Sequence, residues 1–99
     1  AVKVNWYWDS ATGGDRYEIE FKDRSKWITE SSSGPDYSIP GVYASPNPAG
    51  SDSYRPIQYM VDRFGDRIEL VRTAVANPNF PTTQIPVLSQ IKDKNGSDF

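Results

Sequence analysis

The sequence predicts an all-β fold, a small antiparallel β-sandwich of short strands. Three observations carry the prediction. Apolar residues recur with a period of two along almost the whole chain, the spacing of half-buried strands. Six Tyr, three Trp and four Phe tilt the composition towards pleated faces, where rings pack well. Clusters of Gly, Pro, Asp and Ser punctuate the chain, and no window supports an amphipathic helix longer than two turns. At 99 residues the expected organisation is one domain with a single modest core.

The elements follow in order. In residues 2–9, Val2, Val4, Trp6 and Trp8 share one face and Lys3, Asn5, Tyr7 and Asp9 the other. The apolar set is expected inward, with Trp6 and Trp8 as core rings and Tyr7 exposed, because a small sandwich needs large side chains inside. Residues 10–15 form a turn cluster. Tyr17, Ile19 and Phe21 then alternate with Glu18, Glu20 and Lys22 as a second strand. Residues 23–26 are a charged turn, 27–30 a short strand and 31–35 a loop. Tyr37 to Ile39 follow, closed by Pro40 and Gly41. Pro46, Pro48, Gly50 and Pro56 make 43–56 a long surface loop. Ile57, Tyr59 and Val61 form another inward set, 64–67 turn the chain, and a strand runs back from Ile68 to about Val75.

From Asn77 the pattern fades. Pro78, Pro81 and Pro86 argue against a long central strand, so residues 77–99 read as an extended arm outside a sandwich of residues 1–76. Phe80, Ile85, Val87, Leu88 and Ile91 give this arm apolar cargo. It suits either docking on a neighbouring subunit or folding back on its own sandwich.

One short stretch occurs twice: Gly14-Asp-Arg-Tyr-Glu-Ile-Glu20 and Gly65-Asp-Arg-Ile-Glu-Leu-Val71. Gly supplies a positive φ and Asp favours a turn, so each copy reads as a hairpin turn opening a strand with a polar outer face. The flanking sequences share no period, which argues for convergent turn chemistry over duplication.

Composition removes several function classes. With no Cys there is no disulfide framework and no thiolate chemistry, and with no His the commonest general base and metal ligand is missing. Serine hydrolase, cysteine protease and zinc-site readings fall together. Glu18 and Glu20 share a strand face about 7 Å apart, inside the roughly 5–9.5 Å of glycosidase pairs. Alternating Glu on a solvated face is ordinary, however, and Lys22 continues the same row. No spacing matches a Ca²⁺ loop, and neither a cofactor nor a metal is expected. The formal net charge of −2 offers no attraction to phosphate backbones, so nucleic acid is not an expected partner. No stretch approaches the ~20 apolar residues of a membrane span, and no signal-like apolar run stands at the N-terminus.

The order of elements carries a resemblance. An inward Trp in Val4-Asn-Trp6, then Asp15-Arg-Tyr-Glu-Ile-Glu-Phe-Lys22, then the Trp-bearing strand at Trp27 resemble the first half of a fibronectin type III domain. Asp36-Tyr-Ser-Ile-Pro-Gly-Val42 is similar to that family's Ser-Tyr-Thr-Ile-x-Gly-Leu element, and Tyr59 to Val75 would supply the final hairpin. The resemblance covers residues 2–76. It departs in the missing first strand, the longer loop 43–56 and Pro56 before the penultimate strand. Gly14 to Phe21 is also similar to modules of bacteriophage tail and other virion proteins.

The resemblance implies a fibronectin type III or immunoglobulin-like sandwich without enzymatic activity, acting through protein–protein contacts as a structural component of a virion or other extracellular assembly. It also implies that the two Gly-Asp-Arg turns share one pole. Asp15, Arg16, Asp66 and Arg67 would then form a recognition surface. Tyr43, Tyr54 and Phe80, in or beside Pro-rich segments, are the candidates for exposed aromatic contact. The alternative is a carbohydrate-binding or adhesion module that uses these loop aromatics on a cell-surface glycan.

Overall fold

The computed structural model describes residues 2–34, 37, 55–77 and 80–99. Among them the chain forms six strands: β1 (Lys3–Asp9), β2 (Gly14–Glu20), β3 (Lys26–Thr29), β4 (Ile57–Val61), β5 (Arg67–Asn77) and β6 (Phe80–Lys92). All pairings are antiparallel, and the strands lie in one sheet in sequential order. The all-β antiparallel expectation therefore holds. Among the described residues the strands form a single layer, where two were expected. Short turns favour pairing of consecutive strands, and even β3 and β4, 27 residues apart in sequence, pair directly.

Residues 80–92 of the expected arm are β6, hydrogen-bonded along β5 in the same sheet. The boundary expected between residues 76 and 77 falls inside this hairpin. The prolines fit because β6 is an edge strand, where a missing N–H can face away from the ladder. Tyr37 forms an isolated parallel bridge with Gln84, and Lys92 bridges Asp98. Phe99 N–H adds a bond to the Ile91 carbonyl at 3.0 Å. The outer edge of β6 is thus partly covered by its own chain.

The turns show which residue pattern recurs. The Asp62 carboxylate accepts the N–H groups of Phe64 and Asp66 at 2.8 and 3.0 Å, with Gly65 at φ +91°. Asp93 does the same for Asn95 and Ser97 at 2.9 and 3.0 Å, with Gly96 at φ +81°. The shared unit is Asp-x-x-Gly: the carboxylate caps the turn and glycine takes the left-handed residue. The β1–β2 turn is a one-residue-longer version that starts at Asp9 and places Gly13 at φ +73°.

The two Gly-Asp-Arg stretches are therefore not equivalent. Gly65 is a turn glycine, whereas Gly14 lies inside β2 opposite Asp9. Gly14 is required by crowding: a Cβ there would stand 2.4 Å from Ser31 Oγ and 2.7 Å from the Ser33 nitrogen. The 31–34 loop docks at this point, with Ser32 N–H on the Asp15 carbonyl at 2.9 Å and Asp15 N–H on Ser32 Oγ at 2.8 Å.

Register fixes the two faces. Val4, Ile19, Trp27, Met60 and Ile68 stand opposite one another in an unbroken row across five strands. Trp6 pairs with Tyr17, and Leu70 with Ile91, on the same apolar face. The opposite face carries the row Asn5, Glu18, Ile28, Tyr59, Glu69 and Lys92, with Tyr7 beside Arg16. The period-two grouping is as expected, but the burial is reversed. Trp6 and Trp8 are exposed and Tyr7 half-buried. In a single layer, long polar side chains lie flat over their own face, while upright apolar rings have no second layer of described residues above them. Tyr37 and Pro56 are the only buried apolar side chains among the described residues.

Candidate functional site

The polar face is closed upon itself. Arg16, 5% exposed, donates from Nε to Asp9 Oδ2 at 2.7 Å and from Nη1 to the Thr29 carbonyl at 2.8 Å and Gln58 Oε1 at 2.7 Å. Gln58 passes the network on, its Nε2 donating to Glu69 Oε2 at 3.2 Å. The Tyr59 ring lies between two guanidiniums, 5.7 Å from Arg16 and 4.5 Å from Arg67. Beside this cluster Arg72 donates to Glu30 at 3.4 Å and to the Ile57 carbonyl. Burial raises the Glu30 pKa against the pull of Arg72, and burial likewise raises the Tyr37 hydroxyl beside it. Asp9 is held below the usual carboxylate range, chiefly by the Arg16 hydrogen bond. No buried side-chain polar atom among the described residues lacks a partner. A network this complete positions strands.

The apolar face is the reverse. Val4 is 62% exposed, Trp6 59%, Trp8 61%, Tyr17 41% and Trp27 39%. Taking ~150–250 Å² for each large ring, the four aromatics alone leave on the order of 300–500 Å² of apolar surface in water. That already reaches the ~300–600 Å² of the largest patch on a typical monomer. Val2, Val4 and Ile91 extend it, and the half-buried Ile19, Met60, Ile68 and Leu70 line its floor.

One charged group sits at the rim of this face. Asp15, opposite Trp8, accepts the Trp6 indole N–H at 2.5 Å and Arg55 Nη1 at 3.0 Å. Its pKa is lowered to about 2, first by the Ser32 hydroxyl, then by the Trp6 indole, with Arg55 adding to both. The Arg55 guanidinium also stands 5.6 Å from the Tyr17 ring. Trp6, Trp8 and Tyr17 therefore form an aromatic shelf with a fixed anion and cation along one side.

The residues expected to bind now have places. Asp15 and Arg16 lie at the β1–β2 turn end of the sheet, and Asp66 and Arg67 at the β4–β5 turn end. Strand direction makes these opposite ends: Arg67 is level with Val61 and Lys26, and Asp15 with Trp8. The four residues are not brought together, because a meander puts alternate turns at alternate ends. Arg16 is moreover buried on the polar face, and Asp66 is an exposed turn residue 3.7 Å from Lys94. Tyr43 and Tyr54 lie outside the described residues. Phe80 opens β6 opposite Asn77, and its side chain lies outside them too. Of the expected residues whose side chains are described, only Asp15 touches the aromatic shelf. Glu18, of the carboxylate pair, is bonded to Lys26 at 2.9 Å.

Sequence reasoning assigned Trp6 and Trp8 to the core and passed over Tyr17, Trp27 and Arg55. A usable signal was present on the opposite face, where Asp9, Arg16, Gln58 and Glu69 make a mutually complementary polar set that favours its own partners over water. Among the described residues, fold and site together define a class: a one-layer antiparallel sheet with a self-satisfied polar face and an open apolar one. Comparison with family models, with curated proteins and with solved structures finds no match to this chain.

Proposed function

We propose that this chain is a non-enzymatic interaction module whose apolar face docks on another protein subunit. The observation that carries the reading is the row of exposed Trp6, Trp8, Tyr17 and Trp27 on one sheet face. A sheet must bury one face against a second layer to build a core, and the described residues contain only two buried apolar side chains, Tyr37 and Pro56. A partner's layer laid over this face would complete a two-layer sandwich, in keeping with the fibronectin type III resemblance. The likeness of Gly14 to Phe21 to virion modules supports placing the assembly in a virion or another extracellular structure.

A second reading is favoured by the shelf itself. Aromatic faces pack on pyranose rings, and Asp15 and Arg55 beside Trp6 and Tyr17 supply hydrogen-bonding groups for sugar hydroxyls. That reading makes the chain a carbohydrate-binding or adhesion module, using strand aromatics in place of the loop aromatics. The test mixes the isolated protein with the products of its neighbouring genes and with a glycan panel. Subunit binding lost in Trp8→Lys, without saturable sugar binding, supports the first reading. Saturable sugar binding lost in Trp6→Ala, without subunit binding, reverses the order.

A further inference from the structure

Among the described residues, strand β1 has one partner and one open edge. Its seven residues pair with β2 without a bulge, and among the described residues no strand lies on its other side. The opposite edge of the sheet is protected in three ways: Pro81 and Pro86 in β6, the Tyr37–Gln84 bridge, and the return of Asp98 and Phe99. β1 carries no proline and no bulge, and it is long and rich in aromatics. An edge of that kind is a template for another strand.

We propose that β1 pairs with β1 of a second copy, antiparallel and about a two-fold axis at Trp6. The strand is self-complementary in that register. Lys3 stands opposite the partner's Asp9, Val4 opposite the partner's Trp8, Asn5 opposite the partner's Tyr7, and Trp6 opposite the partner's Trp6. Residues directly opposite share a face, so like parity must meet like parity. Among such registers this one alone pairs all seven residues of β1 and sets its two charges against their opposites. Lys3 has no ion-pair partner among the described residues, so its charge is available for this contact. The Val4, Trp6 and Trp8 side chains of both copies then meet on one side and join the two apolar faces into one. Isologous pairing closes at two copies and consumes the open edge, which limits further strand addition.

Pairing at this edge is independent of whatever covers the apolar face. Sedimentation velocity of the full chain over a wide concentration range should show a monomer–dimer equilibrium. Lys3→Glu places two like-charge pairs across the junction and should weaken the dimer by about tenfold at low salt. Lys3 is exposed, so this variant keeps its fold. In oxidising buffer, an equimolar mixture of Asn5→Cys and Tyr7→Cys chains should cross-link mainly as the mixed pair, because directly opposite residues lie closer than diagonal ones. A chain that stays monomeric throughout overturns the proposal. So does a dimer that is indifferent to Lys3→Glu and cross-links equally in all combinations. The latter result would describe association through the apolar face, which leaves the function proposed above standing.

Discussion

Arg16→Ala should be the most damaging single substitution in the sheet, more so than Trp6→Ala. Arg16 makes bonds to three different partners, on β1, β3 and β4. Its removal strands the Asp9 carboxylate, the Thr29 carbonyl and Gln58 in a half-buried setting. Leaving the buried Thr29 carbonyl and the part-buried Gln58 Oε1 without their donor costs about 1–3 kcal/mol each, and Asp9 loses its ion pair besides. Trp6 is 59% exposed, so about two fifths of its surface is covered. At ~25 cal/mol per Å² on a ring of ~150–250 Å², that burial is worth about 1.5–2.5 kcal/mol. The assay is urea unfolding at a concentration below any self-association, followed by tyrosine fluorescence and far-UV circular dichroism, with unchanged m-values required for the comparison. A double-mutant cycle with Gln58→Ala should show strong coupling to Arg16→Ala and little to Trp6→Ala. If Trp6→Ala costs more than Arg16→Ala, the apolar face is covered in the monomer and the face assignment fails.

Gly14→Ala and Gly65→Ala should both destabilise by about 1–3 kcal/mol, the first through crowding against Ser31 and Ser33 and the second through positive φ. Amide shifts of Ser32 and Ser33 should move only in the first, and shifts in both would refute the separate causes. Deleting residues 79–99 strips β5 of its β6 partner, so the truncated chain should melt earlier; an unchanged melting curve would mean the strand contributes nothing in cis. Acid should weaken the fold through Asp15. Its folded pKa of about 2 lies below the ordinary ~3.9, so its contribution is complete above the ordinary value and lost as pH falls towards 2. Asp9 and Asp23, also lowered, act in the same direction. Glu30, raised by burial, acts oppositely: its contribution is complete below the ordinary glutamate value and lost as pH rises from there through its raised folded pKa. Urea midpoints from pH 2 to 5 should show a net loss on acidification that is smaller in Asp15→Asn, and equal slopes would refute the Asp15 assignment.

The sequence by itself determined β1 to β5, their alternation and the turns at residues 10–15 and 64–67, whereas β6 and the turn at Asp93 read as an extended arm. The grouping of Val4, Trp6 and Trp8 against Asn5, Tyr7 and Asp9 needed only the pleat, which sends neighbours to opposite sides whatever surrounds them. The turns at Asp62 and Asp93 are equally local, because a carboxylate, two N–H groups and one left-handed glycine lie within five residues. Which face is covered is not a local property. It depends on the number of layers, and that was decided by β3 pairing β4 and by β6 joining β5 in plane. Only the tertiary structure could bring Gln58 to Arg16, 42 residues away, and so make the polar face the closed one. Likewise the two Gly-Asp-Arg stretches look alike because local turn chemistry is short-ranged. Strand direction across the whole meander set them at opposite ends, and the Ser31–Ser33 loop decided that one of them needed glycine for space and not for φ.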